Sequence, residues 1–197
     1  MATKSKSDIL SLSNHFLIAM PNLNDPYFEK SVSYICEHNE EGAMGLVINR
    51  PTTLTFGQLC DKLEIEVTDN DTKNHPVFEG GPVETDRGFI LHTPIGEWDS
   101  TLVISNDIGL TMSQDIIQAI AEGYDSDNTP PEHFMIALGY AGWSEDQLED
   151  EIAENVWLNV PASHEILFHT PAPQRWSTAV ASLGINLQQL SSDIGHA

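Results

Sequence analysis

A short apolar run, Met44-Gly45-Leu46-Val47-Ile48, constrains the fold of this chain more than any other stretch. It is bounded by turn-formers and carries β-branched residues, the pattern of a buried strand. Gly42 and Ala43 precede it, leaving room for another backbone to approach closely. Pro51 must end it, because proline has no N–H for a ladder and drives Arg50 toward an extended conformation. Asn49 and Arg50 are thereby set as a polar pair where the apolar run stops. Arg50 is one of only three arginines in the chain, so this strand end is the first place to look for a site.

The chain on either side has 197 residues, the length of one ordinary globular domain or of one domain with two lobes. Its 40% hydrophobic content supports a sizeable core and argues against disorder in the body of the chain. Thirty acidic residues against eight basic ones give a net charge of −22. A field of that sign repels phosphate backbones and anionic lipid, so direct nucleic-acid binding and membrane binding are not expected. Cys36 and Cys60 are the only cysteines, and no secretory leader or membrane span is visible. Reduced thiols in the cytoplasm are the expectation.

Taken in order, residues 1–12 form a loose polar start, residues 13–190 a single domain, and residues 191–197 a fraying tail. Residues 15–20 and 31–37 are predicted strands, the second joined to the Met44 strand by a polar loop at 37–42 to make an antiparallel hairpin. Thr55 and Gln58 have capping-box spacing, with Leu54 and Leu59 as a staple, and Phe56, Leu59, Cys60 and Leu63 share the buried face of the helix that follows. Residues 67–74 read as an acidic loop. Further strands are predicted at 88–92, 101–105, 134–138, 157–160 and 165–168. Helices are predicted after Thr111, with Gln114 as its box partner and Gly123 as its stop, after Ser144 with Gln147, and over 174–183. The acidic stretch 124–131 is the most linker-like. Strands and helices mix without a regular βαβ rhythm, so the fold class is α+β, or an irregular α/β, around a mixed and largely antiparallel sheet with flanking helices.

Familiar catalytic signatures are missing from the sequence. Among eight histidines, none forms the i,i+4 pair of a zincin, and no Cys-x-x-Cys accompanies them. No Gly-x-Ser-x-Gly elbow is present. Gly80-Gly81 matches neither nucleotide fingerprint and is flanked by Glu79 and Glu84, which repel phosphate, so a tight turn is the reading. The acidic run Glu145 to Glu154 is a solvated helix face in preference to a metal site. No cofactor and no metal are expected.

The motifs taken together resemble the YqgE/AlgH family of bacterial proteins. The resemblance is carried by Leu17-Ile18-Ala19-Met20-Pro21, Asp25-Pro26 with Phe28 and Ser31-Val32, the Gly42–Pro51 block, Gly80-Gly81-Pro82-Val83, Leu91-His92, Gly139-Tyr140-Ala141-Gly142-Trp143 and Gln147-Leu148-Glu149. It runs in order over residues 10–190. The chain departs from it at Ser144 and Asp146, where the family commonly has glycine. What the resemblance implies is a cytosolic α/β or α+β domain without established enzymatic activity, often labelled a transcriptional regulator. With no basic recognition helix in the sequence, any such regulation is expected through protein partners. Two functional readings follow. In one, Asn49, Arg50, Pro51, Gly80, Gly81, Pro82, His92, Tyr140 and Trp143 form a contact surface for an unknown protein partner. In the other, the same residues hold a small anionic ligand, with Arg50 as the grip and His92 as acid or base.

Overall fold

A single twelve-residue strand, His133–Ser144, holds the architecture together. The computed structural model describes residues 11–123 and 129–184. Most of the loose start, residues 124–128 of the acidic 124–131 stretch and the whole tail therefore lie outside the described residues. Within them the strands are β1 (His15–Ala19), β2 (Val32–Asn39), β3 (Gly42–Val47), β4 (Pro51–Thr55), β5 (Pro76–Glu79), β6 (Val83–Thr93), β7 (Thr101–Val103), β8 (Gly109–Thr111), β9 (His133–Ser144) and β10 (Trp157–Pro161). The helices are α1 (Phe56–Lys62), α2 (Asn70–Lys73), α3 (Gln114–Glu122), α4 (Gln147–Ala153) and α5 (Ala172–Ser182).

All ten strands join one sheet in the order β10-β1-β2-β3-β9-β6-β8-β7, with β4 and β5 attached beside β9. Every pairing is antiparallel except β5 with β9. The sheet is therefore mixed and largely antiparallel, with helices flanking it, an α+β architecture. Ile136, Ala137 and Leu138 are paired on both edges, to β5 and to β6. Further along, Ala141 to Ser144 pair with β3.

Gly139 separates these two halves of β9. Its φ of +72° is a left-handed conformation that favours glycine. Before it, Met135 and Ala137 belong to the first core cluster while Ile136 faces the second; after it, Tyr140 packs on the first cluster and Ala141 and Trp143 enter a third. The inward–outward alternation slips by one residue at Gly139, as at a glycine bulge, and the β6 register is irregular at the same place. One strand thus serves three hydrophobic clusters. The first, with Phe16, Tyr34, Leu46, Ile48 and Phe89, is covered by α5. The second lies under α1 and α3, and the third under α4. Each buried large aliphatic side chain contributes roughly 1.5–3 kcal/mol.

Local signals explain many of the ends. Thr55 and Gln58 make the reciprocal capping box expected at α1, and α3 stops at Gly123 with φ +61°. Elsewhere tertiary demands change the reading. The polar loop expected at 37–42 shrinks to two residues, because β2 and β3 stay paired out to Asn39 and Gly42. Asp69 caps a single helical turn, α2, inside the stretch expected to be loop. β4, β5 and β8 are strands where none was expected. Helix α3 starts from Ser113, not Thr111, which lies in β8. Residues 165–168 are not a strand: Glu165–His169 forms a π-helical turn, closed by the Thr170 N–H donating to the Glu165 carbonyl at 2.8 Å.

Candidate functional site

Asn49 extends the β2–β3 ladder with its side chain once the backbone turns away. Its Oδ1 accepts from Val32 N–H at 2.9 Å, and its Nδ2 donates to the Lys30 carbonyl at 2.8 Å. Arg50 is half-buried; its Nη2 donates to the Glu29 carbonyl at 3.0 Å, and its guanidinium carbon lies 5.3 Å from the Tyr27 ring centre. Burial and then the neighbouring Glu79 carboxylate push the Tyr27 phenol up to about 12. Arg50 therefore ties the strand end to the 26–30 loop. The Arg50 carbonyl accepts from Glu79 N–H, and Pro51 pairs with Phe78.

Through that pairing the Gly80-Gly81-Pro82 turn arrives beside β9. Gly80 donates to the Leu138 carbonyl and accepts from Val47 N–H, both at 2.8 Å. Gly81 lies so close to the Tyr140–Ala141 peptide that a Cβ would sit 1.8 Å from the Tyr140 carbonyl carbon. Val83, one residue past Pro82, pairs with Tyr140, whose ring meets Phe89 edge-on at 5.7 Å. Asn49, Arg50, Pro51, Gly80, Gly81, Pro82 and Tyr140 are thus brought together by backbone pairing.

His92 is not among them. It faces Phe134 on β9, six residues from Tyr140, about 20 Å along a strand. Its Nδ1 donates to the Pro94 carbonyl at 2.9 Å, so Nε2 accepts from the Thr111 hydroxyl at 2.8 Å. The ring is fully buried, and desolvation lowers its pKa. A histidine so enclosed, with both nitrogens engaged, is a structural tie between β6 and β8.

Trp143 lies three residues beyond Tyr140 on the side of the third cluster. It forms one wall of a cavity of about 290 Å³, with Phe28 and Trp157 as further walls and Asp25, Gln147 and Glu151 among the polar lining. Trp143 and Trp157 meet at 6.1 Å and 79°, Phe28 and Trp157 at 5.5 Å and 83°. Both indole N–H groups donate to the same Glu151 oxygen. Helix α4 is thus not solvated along its whole acidic length: Glu151 is turned inward and fixed. The expected Ser144 cap is replaced by a different arrangement. Gln147 Oε1 accepts from both Ser144 N–H and its hydroxyl, and the helix begins after Asp146. Asp146 takes φ +60°, the left-handed conformation that a glycine adopts easily, so the departure at this position keeps the backbone shape.

Sequence reasoning gives Phe28 a place only in the family motif and Trp157 only in a strand, and assigns no site role to either or to Glu151, which it leaves on a solvated face. The available signal was the pair of tryptophans bracketing the acidic helix, with Gln147 and Glu151 four apart on one face. It also passed over Arg175, which is 6% exposed and donates to the carbonyls of Thr170 and Ile48 while lying over the Phe78 ring. Burial lowers the Arg175 pKa to about 10. The cysteines are free and buried, and burial pushes both thiols up, Cys60 to about 11. His133, His164 and His169 gather with ring centres 4.5 to 5.5 Å apart. Among the described residues, however, no group of three or more His, Cys, Asp or Glu has a geometry that could hold a metal ion. No described helix is long and apolar enough to cross a membrane.

Comparison with known proteins gives a consistent picture. The sequence pattern of the AlgH-like family matches residues 16–188. A UPF0301 protein of Chromobacterium violaceum is 52% identical over 188 residues, covering 95% of this chain and 98% of that one. Another, from Thioalkalivibrio sulfidiphilus, is 51% identical, covering 95% and 97%. The solution structure of the AlgH protein from Pseudomonas aeruginosa covers both chains completely with a TM-score of 0.76 and 44% identity. A crystal structure of a Corynebacterium diphtheriae protein, at 17% identity and a TM-score of 0.70 over 98% of this chain and 95% of that one, shares the fold.

Proposed function

Because the chain belongs to the AlgH-like family, we propose that it works as a protein-interaction module, a regulatory protein of the bacterial cytoplasm that acts through a protein partner and not through DNA contact. One observation carries this reading: the Tyr140–Trp143 end of β9 opens an aromatic cavity on the surface, beside the strand end and turn that backbone pairing gathers around Tyr140. Aromatic side chains in a pocket of this kind are what protein contacts are anchored on. The net charge of −22 supports a protein partner over nucleic acid, since a polyanion pays for every approach to a phosphate backbone. The two buried thiols fit a reducing compartment. The reading in which Arg50 grips a small anion is the weaker one, because its guanidinium is occupied by the Glu29 carbonyl and the Tyr27 ring.

The test is affinity capture from cytosolic extract with wild type, Phe28→Leu and Glu66→Gln. Phe28 is half-buried, its ring forms one wall of the cavity and meets Trp157 edge-on, and leucine removes that ring while keeping an apolar side chain against the third cluster. The substitution therefore strips one aromatic wall from the cavity without touching β9. A partner identified with wild type and with the distant Glu66→Gln variant, but lost with Phe28→Leu, is the expected result. The same proteins captured by wild type and both variants, or none by wild type, would end the proposal.

A further inference from the structure

We infer that the cavity between Trp143 and Trp157 seats an alkylammonium head, the lysine-type cation of a partner protein. This rests on the reading of the β9 end as a contact surface and adds the chemistry that the surface selects. Glu151 is the centre of the argument. One of its oxygens accepts from the indole N–H groups of Trp143 and Trp157, at 2.8 and 2.7 Å, and the other from Gln147 Nε2 at 2.9 Å. All three donors are neutral. They hold the carboxylate in one orientation without cancelling its charge, and among the described residues no lysine, arginine or histidine forms an ion pair with it. A second carboxylate, Asp25, lines the same cavity, its Oδ1 held by the Tyr27 and Phe28 N–H groups at 2.7 and 3.0 Å.

The walls suit the same ligand. Three aromatic rings line the cavity, and the Trp157 ring stands nearly perpendicular to both of the others, at 79° and 83°. The electron-rich faces of such rings attract cations, tryptophan most strongly. Crossed walls surround a compact ammonium from several sides, whereas a planar guanidinium gains most from a parallel face on which to stack. The volume of about 290 Å³ accommodates the head and part of an apolar stem. The field of the whole chain, at −22, raises the local concentration of cations and repels anions from the entrance.

The experiment follows the four tryptophan indole N–H signals of the ¹⁵N-labelled protein during titration with n-butylammonium, n-butylguanidinium and n-butanol at matched ionic strength. The expected result is saturable movement of the Trp143 and Trp157 signals, with those of Trp98 and Trp176 still, in n-butylammonium. n-Butanol should leave all four in place. Glu151→Gln, which retains an oxygen for the indoles, should weaken the effect by about tenfold, and Asp25→Asn should weaken it less. Equal response to n-butanol would make the cavity merely apolar and overturn the inference. So would tighter binding of n-butylguanidinium, or no saturable response in wild type. In the last case a partner still lost with Phe28→Leu would leave the contact surface standing and remove only its cationic chemistry.

Discussion

Replacing Gly81 by alanine is the sharpest probe of how the turn and β9 are held together. The added Cβ would lie 1.8, 2.0 and 2.2 Å from the Tyr140 carbonyl carbon, its oxygen and the Ala141 nitrogen. Ordinary carbon contacts are about 3.5–4.0 Å, so two backbones must separate by roughly 1.5 Å. A side chain could swing aside; a peptide paired on both flanks cannot. Overpacking costs roughly 1–3 kcal/mol even where side chains can adjust, and moving the turn would strain the Gly80 N–H bond to the Leu138 carbonyl, worth about 1 kcal/mol more. A loss of about 4 kcal/mol follows. With a urea slope of about 2 kcal/mol per molar, the unfolding midpoint should fall by about 2 M. Gly88→Ala is the control: it lies in β6 nearby, its Cβ would meet nothing within 4 Å, and its effect should fall between zero and a gain of about 1 kcal/mol. Urea denaturation followed by circular dichroism decides the matter. A Gly81→Ala midpoint within about 0.3 M of wild type would refute the reasoning.

Arg175→Met should lose about 3 kcal/mol in the same assay, because the carbonyls of Thr170 and Ile48 are left buried without donors. Maleimide labelling at neutral pH should leave both cysteines of the native protein untouched and modify both in denaturant; labelling without unfolding would contradict their burial. Above the ordinary thiol value, near 8.5, the unfolded chain releases protons that the buried thiols keep, so stability should decline with rising pH. At the acid end the sign reverses: His75 and His92 have pKa values lowered by burial, so below about 6.5 the unfolded chain takes up protons that the folded one refuses. Denaturation midpoints should therefore fall between pH 7 and pH 5, and by less in His92→Gln.

What the sequence made legible was whatever is decided within one turn. The Thr55–Gln58 box is such a case, since both bonds close inside four residues. Ser144 was half legible: Gln147 does reach back to its N–H, but the helix starts later because Asp146 inserts a left-handed residue. Thr111 has the right spacing for a cap, yet its hydroxyl is engaged by His92, nineteen residues away in sequence. Residues 165–168 are apolar enough for a strand, and only the long bond to Thr170 turns them into a π-helical turn. Gly139 misled the reading most. A glycine after an apolar run looks like a stop, but here it re-phases the strand and lets it continue for five residues. The candidate site divides the same way. The polar strand end and the Gly80–Pro82 turn were visible as motifs, and pairing gathers them with Tyr140. Trp143 was visible too. Its partners Phe28 and Trp157 come from segments that meet it only in the folded molecule, and Glu151 was indistinguishable from the acids around it.

The place of β9 in the chain also bears on how the protein is made. The strands it joins, β3, β5 and β6, are all synthesised before it. While the ribosome works through the intervening residues, three strand edges wait with open hydrogen-bonding groups, the kind of edge on which chains aggregate. Emergence of residues 133–144 closes all three at once. The acidity that keeps phosphate away from the finished protein would, over that interval, also keep one nascent chain from pairing with another.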